Sequence, residues 1–244
     1  MSRIIDLPSG AKIEGRSLTG KESKILSDKD LAKSGLFLDK ILEACTVSVM
    51  DFGPYQSSEK LNWRQALLGD RFYALLQIRI LSLGADYCFK LQCQEEACRE
   101  RFDYGLNLND LPVKRLSDVD RTAFASGNEF ITVDCNGRMV TYRLPIGQDE
   151  LLAAKSTNTF DSAFIQSLLQ RIVSIEGVDD KRKYLEDMGW GDLLQLLEAF
   201  DEHNCGVETD FSAECPKCGA IQDVRLPFGR GFLLPSTKLG VKKT

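Results

Sequence analysis

Two close cysteine pairs carry the spacing of metal-binding knuckles. In the stretch from Phe89 to Phe102, Cys93 and Cys98 are separated by four residues at a turn between two strand-like runs. In the stretch from Phe211 to Gly219, Cys215-Pro216-Lys217-Cys218-Gly219 repeats the design with a two-residue spacer and a glycine that lets the backbone curl towards an ion. Together the pairs supply four thiolates, the tetrahedral sulfur set that closes a structural Zn²⁺ site. More than a hundred residues lie between the pairs. A shared ion would therefore tie distant parts of the chain and stabilise the folded state by closing a long loop. Spacing leaves open whether the pairs share one ion, and the alternative is four ordinary thiols.

The other chemistry on offer is thinner. Cys45, Cys88, Cys135 and Cys205 have no close cysteine neighbour and read as small buried residues. The one histidine, His203, is too near Cys205 in sequence to activate it, so thiol catalysis is not expected. Gly15-Arg16-Ser17-Leu18-Thr19-Gly20-Lys21 matches a phosphate-binding loop until Glu22, which stands where a magnesium-binding Ser or Thr is required. Asp179, Asp180, Glu186 and Asp187 read as solvated helix faces and caps, with Lys181, Arg182 and Lys183 neutralised among them. No constellation of residues points to an enzyme.

Composition bounds the rest. A chain of 244 residues with 43% hydrophobic and 27% charged content buries a sizeable core. A net charge of −5 opposes general phosphate binding. A nucleic-acid-binding zinc ribbon is therefore the rival reading, and a nucleotide-dependent enzyme a distant third. Met1 to Gly10 lacks the apolar run of a secretory signal, and no segment is apolar enough over about 20 residues to span a membrane. Eight cysteines without such a signal favour metal ligation or free thiols in a reducing cytosol.

Several elements must position the knuckles. The turn residues Pro8-Ser9-Gly10 predict an N-terminal hairpin, and Ser27 with Asp30 predicts a capping box opening one helix over 28–45. Asp70 is the expected N-cap of a second helix, striped by Phe72, Leu76, Ile80 and Leu83 and stopped by Gly84. Asn136-Gly137 predicts a tight hairpin, and helices are expected to open at Asp149, Asp161 and Asp192. The class expected is α+β: a helical body with several β-hairpins and a split zinc-ribbon-like module. Its parts are an N-terminal hairpin and helical region (1–86), the split module (87–112 plus 206–228), an inserted hairpin and helical region (113–205), and an extended C-terminal tail (229–244). Pro227, Gly229, Gly231 and Pro235 favour an apolar arm made by Phe228, Phe232, Leu233 and Leu234.

These pieces in this order resemble the base plate proteins of T-even-type, contractile-tailed bacteriophages. The matching residues are Leu7-Pro8-Ser9-Gly10, Leu18-Thr19-Gly20-Lys21-Glu22, Leu68-Gly69-Asp70-Arg71 and the run from Gly84 to Phe89. Tyr142-Arg143-Leu144-Pro145 followed by Asp149-Glu150, and Cys215-Pro216-Lys217-Cys218-Gly219, complete the set. The resemblance covers nearly the whole chain, departing from it at the wide Cys93 to Cys98 spacer. It implies a non-catalytic structural or assembly role in the baseplate hub or tail tip. The implied partners are other hub and tail tip proteins, the tape-measure protein among them, with no nucleic acid and with oligomers inside an assembly. The implied location is the host cytoplasm during assembly and the virion tail baseplate.

Overall fold

Alternating apolar side chains over Ser2–Asp6 (β1) and Lys12–Arg16 (β2) bury Ile5 and Ile13 and close an antiparallel hairpin around Pro8-Ser9-Gly10. The computed structural model describes residues 1–34, 36–55, 59–155, 160–228 and 230–234. A third strand, Thr46–Asp51 (β3), extends the hairpin after three short helices, Ser23–Ser27 (α1), Lys29–Ser34 (α2) and Phe37–Cys45 (α3). The single helix expected over 28–45 is thus two helices. Its expected cap is also displaced: the Asp28 carboxylate accepts from the Asp30 and Leu31 backbone N–H groups, while Ser27 Oγ donates back to the Lys24 carbonyl.

The longest helix among the described residues, Leu68–Leu83 (α4), runs through the first core. Gly84, at φ 86°, ends it with its N–H on the Ile80 carbonyl, 3.0 Å away. Asp70 is not its N-cap, since Leu67 holds that place. One turn inside, the fully buried Asp70 carboxylate accepts from Ser9 N–H, Ser9 Oγ and Tyr55 OH. Burial pushes this carboxyl up in pKa, and the Ser9 and Tyr55 donors pull against it. Next to it, fully buried Arg71 pairs with Asp39 of α3 at 2.6 Å and with Glu150 at 3.2 Å, and donates to the Trp63 carbonyl.

Beyond α4 the chain forms a hairpin of Asp86–Gln92 (β4) and Arg101–Asn107 (β5), then the short strand Val113–Lys114 (β6) and Asp118–Ala125 (α5). Phe130–Cys135 (β7) and Arg138–Arg143 (β8) meet across Asn136-Gly137, both residues having positive φ as the tight turn requires. Helices Gly147–Lys155 (α6) and Phe160–Arg171 (α7) lead to Ile172–Ile175 (β9), which completes a β7-β8-β9 sheet. Lys181–Asp187 (α8) and Trp190–Glu202 (α9) follow. Gly206–Val207 (β10) then pairs with β6, and Asp210–Glu214 (β11) pairs with Ile221–Arg225 (β12).

All five small sheets among the described residues are antiparallel, so the class is α+β. Two apolar cores result. One gathers β1 to β3, α3, α4, Tyr87, Leu108 and the C-terminal Leu226, Phe232 and Leu233; the other gathers α5, the β7-β8-β9 sheet, α7, Leu185 of α8, and α9. Phe232 and Leu233 sit in a 3-10 turn, Arg230–Leu233, and are 1% and 2% exposed. The apolar arm expected of Phe228, Phe232, Leu233 and Leu234 is corrected for its first three residues: packing two aromatic rings and a leucine into the first core outweighs the freedom offered by the flanking Gly and Pro residues, while Leu234 remains 38% exposed. Residues 235–244 of the expected tail lie outside the described residues, as does Gly229. No helix among the described residues is long and apolar enough to cross a membrane.

Candidate metal centre

Each cysteine pair sits at the turn of its own hairpin. At the end of β4 the Cys93 N–H bonds the Glu100 carbonyl at 2.8 Å, and the Cys98 and Arg99 N–H groups both reach the Glu95 carbonyl at 3.0 Å. This turn absorbs the four-residue spacer, with Arg99 taking a left-handed φ of 49°. Between β11 and β12 the second turn is tighter: the Cys215 N–H bonds the Ala220 carbonyl and the Gly219 N–H bonds the Cys215 carbonyl, both at 2.9 Å. Gly219 has φ 73°, the conformation a glycine adopts without strain.

Folding brings the two turns together tip to tip. The sulfurs of Cys93, Cys98, Cys215 and Cys218 all lie within 4.8 Å of one another, close enough to hold one metal ion. Across the pairs, Cys93 Sγ is 3.6 Å from Cys218 Sγ and Cys98 Sγ is 3.9 Å from Cys215 Sγ. Four sulfurs at about 2.3 Å from a tetrahedral centre stand about 3.8 Å apart, so the spacing suits a four-thiolate site. Backbone N–H groups also point at the sulfurs. That of Cys218 foremost, helped by that of Lys217, holds the Cys215 thiol down to about 7 despite burial. Burial pushes Cys93 up to about 12 against the Glu95 N–H. At Cys98 the Glu100 N–H pulls downward, but burial and the Cys218 and Cys215 sulfurs raise the thiol overall.

Polar contacts outside the sulfur set hold the hairpins in register. Gln222, buried on β12, accepts from the Gln94 N–H at 3.0 Å and donates to the Gln92 carbonyl at 3.3 Å. Lys217 of one loop pairs with Glu100 of the other at 2.9 Å. Beneath the tips the hairpins share an aromatic layer in which Tyr104 and Phe211 stack at 5.3 Å and Phe89 meets both edge-on. The rings continue through Tyr87, Phe232 and Phe228 to Phe72 of α4, each 5.0–5.3 Å from the next, so the hairpin pair is fastened to the body by the C-terminal turn. Sequence reading missed Gln222 and this ring series, because neither has a local spacing signature.

The remaining candidates separate. Cys45, Cys135 and Cys205 are buried, whereas Cys88 is exposed, contrary to expectation, because it occupies the outward phase of β4 opposite Gly105. His203 Nδ1 faces both oxygens of Asp120 at 3.0–3.1 Å. Glu22, the residue that spoils the phosphate-loop match, is buried and forms a capping box with Thr19 while pairing with Arg16 at 2.7 Å. Asp180 caps α8, Arg182 pairs with Glu186, and Lys181 donates to the Ile172 and Val173 carbonyls.

The quoted sequence pieces also meet in space. Ser9 binds Asp70, Arg143 binds Asp149 at 2.7 Å, Glu150 binds Arg71, and the Leu68 N–H bonds the Pro145 carbonyl. No curated protein and no solved structure matches the chain. A family model described as T4 bacteriophage base plate protein matches residues 1–229, which takes in all four clustered thiols. The chain therefore belongs to the T4 bacteriophage base plate protein family.

Proposed function

We propose that the protein is a structural or assembly component of the hub or tail tip of a contractile-tail baseplate. It works through contacts with other tail proteins and is stapled by one structural Zn²⁺ on Cys93, Cys98, Cys215 and Cys218. The family match over residues 1–229 carries the baseplate reading. The zinc reading is supported by the four converging sulfurs and by the preference of tetrahedral thiolate sets for zinc or iron. A zinc ribbon split by the 113–205 insertion would close a loop of more than a hundred residues, which places the ion's contribution in folding rather than catalysis. The protein acts in the host cytoplasm during assembly and in the tail baseplate of the virion, with hub proteins and the tape-measure protein as its partners.

Two measurements test this. Affinity purification from infected or lysogenic cells recovers baseplate proteins if the reading holds, and recovery of no tail protein overturns it. Elemental analysis returns about one zinc per chain, lost in the Cys215→Ser, Cys218→Ser variant together with a fall in melting temperature. Iron in place of zinc overturns the choice of metal but keeps the site. The rival nucleic-acid reading has little support from the knuckle loops, where Glu95, Glu96 and Glu100 stand beside Arg99 and Arg101. Tight, strongly salt-dependent binding to DNA or RNA would restore it.

A further inference from the structure

Helix α9 buries Leu193, Leu196 and Phe200 in the second core, and its opposite face is unusual. Trp190, Leu194, Glu198 and Glu202 fall on one ridge at four-residue steps, spanning about 18 Å of helix. Trp190 is 64% and Leu194 43% exposed, and Phe164 of α7 packs at 5.9 Å from the Trp190 ring to widen the apolar end. The other end is acidic. Asp201 is answered by Lys114, but Glu198 and Glu202 have no ion pair among the described residues. These carboxylates stand in the C-terminal half of α9, whose last turn holds no basic residue, where the helix dipole disfavours negative charge. Among the described residues Asp187 and Asp192, near the apolar end, and Lys183 of α8 also lack ion pairs, while Arg182 is taken by Glu186.

We propose that this ridge is the docking strip for a basic amphipathic segment of another tail protein. Two aliphatic side chains of that segment would cover Trp190 and Leu194, and Lys or Arg one to two turns away would meet Glu198 and Glu202. A cationic partner relieves a charge arrangement that the isolated helix tolerates at a cost, and a large exposed aromatic beside an aliphatic residue is the usual composition of an interface anchor. The inference rests on the assembly reading and names the face that serves it.

The protein carries its own reporter, because the second tryptophan, Trp63, is buried. A labelled 14-residue leucine–lysine amphipathic peptide is titrated into the full chain, with a leucine–glutamate peptide of the same pattern as control. The expected result is a blue shift of Trp190 emission with the basic peptide alone, its affinity falling as salt rises. By peptide anisotropy, Trp190→Ala and the Glu198→Lys, Glu202→Lys pair each weaken binding at least tenfold, with melting temperature unchanged or raised in the charge variant. Glu96→Lys, in the turn between Cys93 and Cys98 and off α9, leaves binding unaltered. Equal binding of both peptides, no binding at millimolar peptide, or equal affinity in the ridge variants overturns the proposal. So does a concentration-dependent dimer abolished by Trp190→Ala, which would give the strip to a second copy. Each of these failures leaves the co-purification test of the baseplate role standing.

Discussion

Glu22 shows how a single residue decides between two readings of one stretch. As a member of a phosphate loop it would repel its ligand; as it stands, it receives Arg16 and the Thr19 backbone N–H. The Arg16 hydrogen bond holds its carboxyl down to about 2, against burial. A carboxyl depressed in the folded state stabilises fully above its unfolded pKa, near 4.5, and that stability is lost as pH falls towards 2. Urea denaturation across this window should show roughly 2 kcal/mol of acid destabilisation that is absent in Glu22→Gln. Gly69 sets two effects against each other. Alanine normally gains about 1 kcal/mol over glycine inside a helix, yet a Cβ here would meet the Cys205 carbonyl oxygen at 1.9 Å. Neither backbone can yield by that much without breaking β10 from α4, so Gly69→Ala should lose about 1–3 kcal/mol in the same assay. A neutral result would show that β10 is free to move.

At the scale of elements, α4 packs against β1, β2, β10, α3 and the Arg230–Leu233 turn. Through Asp70 it holds the first turn and Tyr55; through Arg71 it holds α3 and α6. Arg71 is fully buried and its Nε has no hydrogen-bond partner among the described residues, so the Asp39 carboxylate is the main compensation for its charge. Asp39→Ala should therefore cost on the order of 3 kcal/mol, measurable by chemical denaturation, far beyond the value of a surface pair. Restoring stability with a second change, Arg71→Met, would confirm that an unpaired buried charge is the cause. The existence of α4 and its Gly84 stop were legible in the sequence because helical spacing and a terminal glycine are local signals. The expected stripe of Phe72, Leu76, Ile80 and Leu83 is corrected, however: Ala74, Leu75, Leu76 and Ile78 are the apolar residues it buries, and Leu83 is exposed. The role of Asp70 was not legible, since a carboxylate near a helix start reads as a cap until Ser9 and Tyr55 are seen folding over it. The short pairing of β6 with β10 escaped for the same reason: two residues carry no periodicity.

Over the whole molecule, the four thiols and the ring series from Phe211 to Phe72 place the hairpin pair on the first core, while the β7-β8-β9 sheet belongs to the second. Metal removal should consequently be regional. Hydrogen exchange after chelation is expected to lose protection in β4, β5, β11, β12 and the Arg230–Leu233 turn, with β7 and β8 keeping theirs. Uniform loss over both cores would mean that the molecule unfolds as one unit and that the ion supports all of it.

The sequence by itself determined the α+β class, the Asn136-Gly137 hairpin, the two cysteine turns and the resemblance to the base plate family, all of which rest on residues close together in the chain. Tertiary structure alone decided that Cys93 and Cys98 meet Cys215 and Cys218, that Gln222 and the Lys217–Glu100 pair align them, and that Phe232 and Leu233 are core. It also turned Trp190 and Glu198 to the same open face of α9. The physical reason is range. Turn geometry, capping and periodicity are settled by neighbours in sequence, whereas burial, ring packing and the meeting of distant thiols depend on which surfaces the closed chain presses together.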